Sequence, residues 1–87
     1  MPIFVVTLEG KEPGDPTPLT VLAFIQAPDE AAAEQGALAA LADRNWPEAR
    51  FVRAGEVTDE AAVPPDFATA LASANRHGLG LIIYENP

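Results

Sequence analysis

Apolar residues occupy both alternating faces of the strand-like segments of this chain, and this limits its fold more than any other feature. In Ile3-Phe4-Val5-Val6-Thr7-Leu8, one face collects Phe4, Val6 and Leu8 and the other Ile3 and Val5. The run Leu19 to Ile25 repeats the pattern, and Leu81-Ile82-Ile83-Tyr84 is apolar without a break. A strand with one face in water alternates apolar with polar, whereas a strand covered on both faces reads as a continuous apolar run. Only two helical segments are available to provide that cover. With both on one face, the other face needs a second protein chain, so the sequence predicts self-association.

The elements follow from local signals. Residues 3–9 read as a first strand. Gly10 to Pro18 reads as an exposed loop, because Pro13, Pro16 and Pro18 each remove a backbone donor. A second strand at about 19–26 makes the pair an antiparallel hairpin. Pro28-Asp29-Glu30 opens a helix, with acids at the positive end of its dipole. Ala33, Ala37, Leu38, Leu41 and Trp46 fall near helical spacing along it, Gly36 allows close approach to the sheet, and Pro47 is expected to end it. Residues 50–58 form a third strand, the most polar one, suited to an edge. Pro64-Pro65-Asp66 opens a second helix, with Phe67, Ala70, Leu71 and Ala74 on one stripe. Gly78 after Arg76 and His77 fits a left-handed cap. The last strand, at about 80–85, is expected at the centre of the sheet.

The order is therefore β-β-α-β-α-β in a single α+β domain, residues 1–87. The expected architecture is a two-layer sandwich: a four-stranded mixed sheet with two helices on one face. Its content is ferredoxin-like, in a non-standard order.

Composition narrows the function classes. Thirteen Asp and Glu against five Lys and Arg give a net charge of −8, which disfavours nucleic acid and anionic membranes as partners. The absence of cysteine removes disulfides, thiolate catalysis and thiolate-ligated metals. No apolar run reaches the ~20 residues of a membrane span, and the start Met1-Pro2-Ile3-Phe4 is unlike a secretory signal, so a cytoplasmic location is expected.

Candidate chemistry is sparse. His77 is the only histidine and Ser73 the only serine; four residues apart, they can share a helical face, but the sequence offers no third residue to orient the histidine. Asp29, Glu30 and Glu34, and separately Asp59 and Glu60, are helix-start acids without calcium-loop spacing. Gly78-Leu79-Gly80 follows a helix and precedes a strand, the reverse of a phosphate cradle. No metal or cofactor is expected. Arg50 and Arg53, read on opposite faces of a regular strand, do not form one patch, though Arg53 by itself is a candidate anion-binding residue. Trp46, at a helix end, is the candidate exposed anchor for a protein partner, ahead of Phe51 and Tyr84.

Pro2-Ile3 followed by Glu9-Gly10-Lys11 resembles the start of the small tautomerases related to 4-oxalocrotonate tautomerase. The spacing is one residue shorter here, lysine stands in place of arginine, and a hairpin replaces a helix. The resemblance implies an oligomeric enzyme using the Pro2 amine as general base, with Arg53 or Lys11 holding an anionic substrate. The principal reading is a different one: a non-enzymatic, homodimeric interaction domain, joined through an apolar sheet face or edge and able to take a protein partner or a small apolar ligand.

Overall fold

Residues Ile3–Gly10 (β1) and Leu19–Gln26 (β2) form the antiparallel hairpin that their β-branched and aromatic composition favours, with Phe4 opposite Ile25 and Leu8 opposite Val21. The structure is a computed structural model that describes residues 2–11, 14, 17, 19–46 and 49–85, the last two by backbone alone. The expected proline-rich turn falls largely outside these residues. Arg50–Glu56 (β3) pairs with β1, and Leu79–Glu85 (β4) pairs with β2, giving the order β3-β1-β2-β4. Every pairing is antiparallel. The α+β class and the element order are as the sequence predicts. The sheet is wholly antiparallel rather than mixed, because each added strand lies on the outside of the hairpin, running against its neighbour.

The layering also departs from expectation. Phe4, Val6, Leu8, Val21, Ala23 and Ile25 pack with Ala33, Ala37 and Leu41 of the first helix, Glu30–Asp43 (α1). Ile3 and Phe24 pack with Ala70, Leu71 and Ala74 of the second helix, Ala68–His77 (α2). Since Phe24 and Ile25 are consecutive in a strand, these two clusters lie on opposite faces. The protein therefore has three layers rather than two. The helices do not share a face, and the arrangement is not the ferredoxin-like content placed on one side. This removes the premise that a second chain has to cover a bare face: α2 covers it. The helices are also staggered. α1 lies over β3, β1 and β2, whereas α2 lies over β2 and β4.

Local chemistry sets the helix limits. Asp29 caps α1, its Oδ1 accepting from the Ala32 N–H at 2.8 Å. The helix ends before Pro47: Asn45 takes a left-handed φ of 63°, its N–H donates to Ala42 O, and the Trp46 N–H donates to Leu41 O. This is the Schellman pattern, with Trp46 and Leu41 in one core supplying its apolar contact. A 3₁₀ turn, Pro65–Phe67, leads into α2, and Gly78 closes it with φ 88°, donating to Ala74 O as predicted. α2 approaches β4 closely. A Cβ at Gly80 would meet the Ala70 carbonyl and lie 2.9 Å from Ala70 Cα, so only glycine fits. On the other side, a Cβ at Gly36 would come within 2.6 Å of Ile25 Cδ1.

Candidate functional site

The site is the free margin of β4. Among the described residues β2 is the only strand paired with β4, and the Gln26 N–H donates to Gly78 O at 2.9 Å. Antiparallel pairs alternate between bonded and non-bonded positions. Counting along the register from that bond, Gly80 and Ile82 direct their backbone groups toward β2, and Leu79, Leu81 and Ile83 direct theirs outward. The Ser73 hydroxyl of α2 donates to Leu79 O at 2.8 Å and so satisfies the first outward carbonyl. Among the described residues, no strand lies beside the outward groups of Leu81 and Ile83.

From Leu79 to Ile83 the side chains along this margin are apolar. Leu79 and Leu81 pack partly against the α1 core, and Ile83 is 40% exposed, because the stagger leaves α1 short of β4. A cavity of about 350 Å³ runs beside the strand, with β4 residues 79–82 along one wall. Asp66, Thr69 and Ser73 of the α2 side, with Arg44, supply its polar groups. A space flanked by unpaired strand edge and a few polar side chains can take an extended chain as an additional strand.

The opposite margin is built differently. Between Thr7 and Leu8 the β1–β3 register shifts: Thr7 faces Arg53 while Leu8 faces Phe51, leaving Val52 as the extra residue of a bulge. Val52 is accordingly 49% exposed. The bulge also corrects the predicted separation of the arginines. Arg50 and Arg53 lie opposite Glu9 and Thr7, two residues of the same face, so both project from the second face. Arg50 pairs with Glu9 at 3.5 Å.

Other candidates fall elsewhere. Trp46 is only 5% exposed and belongs to the α1 core, against Gly10. It is no surface anchor, because the left-handed turn at Asn45 swings it inward. Arg53 is exposed on β3, away from the β4 margin. Phe51 packs partly against the α1 core, and the Tyr84 side chain lies outside the described residues. The Ser73 hydroxyl is engaged by Leu79 O, and His77 is exposed. Asp29 and Asp59 cap helical turns, while Glu60 accepts from Asn75 Nδ2 at 2.9 Å. Among the described residues, no three His, Asp or Glu side chains gather as a metal site.

Pro2 is exposed, with its carbonyl accepting from the Ala27 N–H at 3.1 Å. Lys11 follows the other end of β1, about 30 Å away at strand rise. Within one chain, Pro2 and Lys11 of the tautomerase-like start therefore lie at opposite ends of β1. No described helix is long and apolar enough to cross a membrane. Comparison with protein-family models, curated proteins and solved structures gives no match.

Proposed function

We propose that the protein is a self-associating interaction domain, joined through the β4 margin to a second copy under two-fold symmetry. One observation carries the reading: β4 has the composition of a central strand and the position of an edge strand. From Leu79 to Ile83 it contains no charge and no proline, the devices that ordinarily protect an edge. Two-fold antiparallel pairing about Ile82 sets Leu81 of each copy opposite Ile83 of the other. That register uses the outward backbone groups of both residues, and it joins two four-stranded sheets into one. The apolar strip of Leu81 and Ile83 then continues across the junction, covering the side chains that α1 leaves open.

The test is light scattering across the micromolar range, comparing the wild type with Ile83→Lys and Val52→Lys. Both substitutions place a charge on an exposed apolar residue of an edge strand. The expected result is a dimer for the wild type and Val52→Lys, and a folded monomer for Ile83→Lys. A monomeric wild type overturns the proposal, as does an Ile83→Lys variant that remains dimeric. Ile83→Pro supplies an independent check, since it removes an N–H directed outward and leaves the ladder to β2 intact; it too is expected to be monomeric.

A further inference from the structure

A second cavity lies on the face that α2 covers, away from the β4 margin. After β3, the chain from Val57 to Phe67 folds back over the sheet. Val57, Val63 and Phe67 pack toward the α2 core, and the Phe67 ring lies 6.1 Å from that of Phe24 at 44°. Between this segment and the sheet is an open cavity of about 360 Å³, with Val5, Leu22 and Phe24 as its floor. That volume suits one small organic molecule, at the lower end of the range for ligand sites.

The register fixes which charges can meet such a molecule. Leu22 lies opposite Thr7, and Thr7 opposite Arg53, so Arg53 stands on the floor's own face, in the row at one end of it. The next β3 residue on that face is Gly55, opposite Val5, and a Cβ there would meet nothing within 4 Å. No β3 side chain therefore separates Arg53 from the floor, and the two residues between them span about 7 Å at strand rise. Arg53 is exposed, and among the described residues no carboxylate pairs with it. Arg50, further along, takes Glu9 at 3.5 Å.

The carboxylates on the border are directed elsewhere. Glu56 lies opposite Phe4, which sends its side chain to the α1 face. Asp59 belongs to the far end of the cavity. Its neighbour Glu60 accepts from Asn75 Nδ2 at 2.9 Å, and Asn75 O accepts at 3.3 Å from Gln26 Nε2, opposite Ile3. Val57, whose N–H donates to Ile3 O at 2.8 Å, marks the same end. The Arg53 and Val57 rows are about 13 Å apart at strand rise, beyond the ~8 Å screening length of physiological salt. The cavity is thus positive at its Thr7 end, apolar in its middle and negative at its Ile3 end.

We infer that this cavity binds a small monocarboxylate, its aromatic or branched body on Val5, Leu22 and Phe24 and its carboxylate against the Arg53 guanidinium. The planar guanidinium can take both carboxylate oxygens. A neutral analogue keeps the apolar contact and lacks that pair, and a cation in the same pose meets Arg53 as a like charge.

The experiment is a solution NMR titration of the full chain in about 0.15 M salt, with 3-phenylpropanoate, 3-phenylpropanamide and 3-phenylpropylammonium. Saturable shifts are expected for the carboxylate at Val5, Leu22, Phe24 and Gly55, with affinity about fivefold above the amide. The ammonium compound is expected to bind no more tightly than the amide. Arg53→Gln, at an exposed and unpaired position, keeps the fold and lowers the carboxylate to the affinity of the amide, whose own binding is unchanged. Gly55→Val, where the added side chain has room, sets two methyl groups between Arg53 and the floor and is expected to remove the same preference. Equal binding of carboxylate and amide to the wild type overturns the inference, as does tighter binding of the ammonium compound. So do the absence of saturable binding, shifts confined to other surfaces, and a preference retained in either variant. None of these outcomes depends on the oligomeric state.

Discussion

β3 and β4 close the same sheet on its two sides, and they present very different margins to a second chain. β3 carries Arg50, Arg53 and Glu56, with a bulge at Val52 that breaks the even spacing of its backbone groups. β4 from Leu79 to Ile83 has none of these, and its alternation of apolar side chains is regular. The stagger of the helices adds to the contrast. α1 packs chiefly over β3, β1 and β2 and meets only Leu79 and Leu81 of β4 in part, while α2 packs on β4 so closely that Gly80 is required. Charge and irregularity hinder strand addition on one side; on the other, the Ser73 hydroxyl is what occupies part of the margin among the described residues. Such a difference within one small sheet is what directional assembly through a single edge would require.

The strongest way to break the comparison is Gly80→Ala. The new methyl group meets the Ala70 backbone, which cannot rotate away as a side chain would, so α2 has to shift off β4. A loss of about 3 kcal/mol is expected in chemical denaturation. A change below about 1 kcal/mol would show that α2 sits more loosely on β4 than this packing implies.

A second change converts the protected margin into an open one. Deleting Val52 keeps Phe51 opposite Leu8 and Arg53 opposite Thr7 while removing the bulge. Combined with Arg53→Val, it gives β3 a flat, less charged edge. A molecule able to pair at both margins grows into open chains, so light scattering should show species larger than the wild type forms. An unchanged size would mean that neither the bulge nor Arg53 is what protects β3.

Smaller effects sharpen the picture. Ser73→Ala removes the hydroxyl from Leu79 O and is expected to cost about 1 kcal/mol of stability, while releasing one more outward carbonyl. Thermal denaturation would measure the first effect and the dimer dissociation constant the second, which should tighten. Least of all, Arg50→Ala breaks a surface ion pair with Glu9 and should alter stability by less than about 0.5 kcal/mol. A larger loss would mean that the β3 margin depends on that pair for its shape.

The sequence reports some of this well and some of it poorly, for physical reasons. Strands, helices and the Gly78 cap are legible because each rests on local chemistry: side-chain alternation, apolar stripes, a left-handed residue. The distribution of helices is not legible, since the stripes of Ala33, Ala37 and Leu41 and of Ala70, Leu71 and Ala74 do not say which side of the sheet each meets. The position of β4 is misread for an instructive reason. An unbroken apolar run records cover above and below a strand, which β4 has in part from both cores. Lateral neighbours bond through the backbone, which is alike in every residue, so the run is silent about them. The Val52 bulge is similarly hidden, and with it the shared face of Arg50 and Arg53. Trp46 was misplaced because proline at 47 is a visible stop signal, whereas Asn45 adopting a left-handed turn is not.

The bond between Ser73 and Leu79 bears on how such a protein would behave as its abundance changes. By closing the near end of the strand, it leaves a docking strip whose main-chain bonding is concentrated at Leu81 and Ile83. A junction that short holds through few contacts and lets go readily, so association would track the amount of protein present instead of locking the copies together for good.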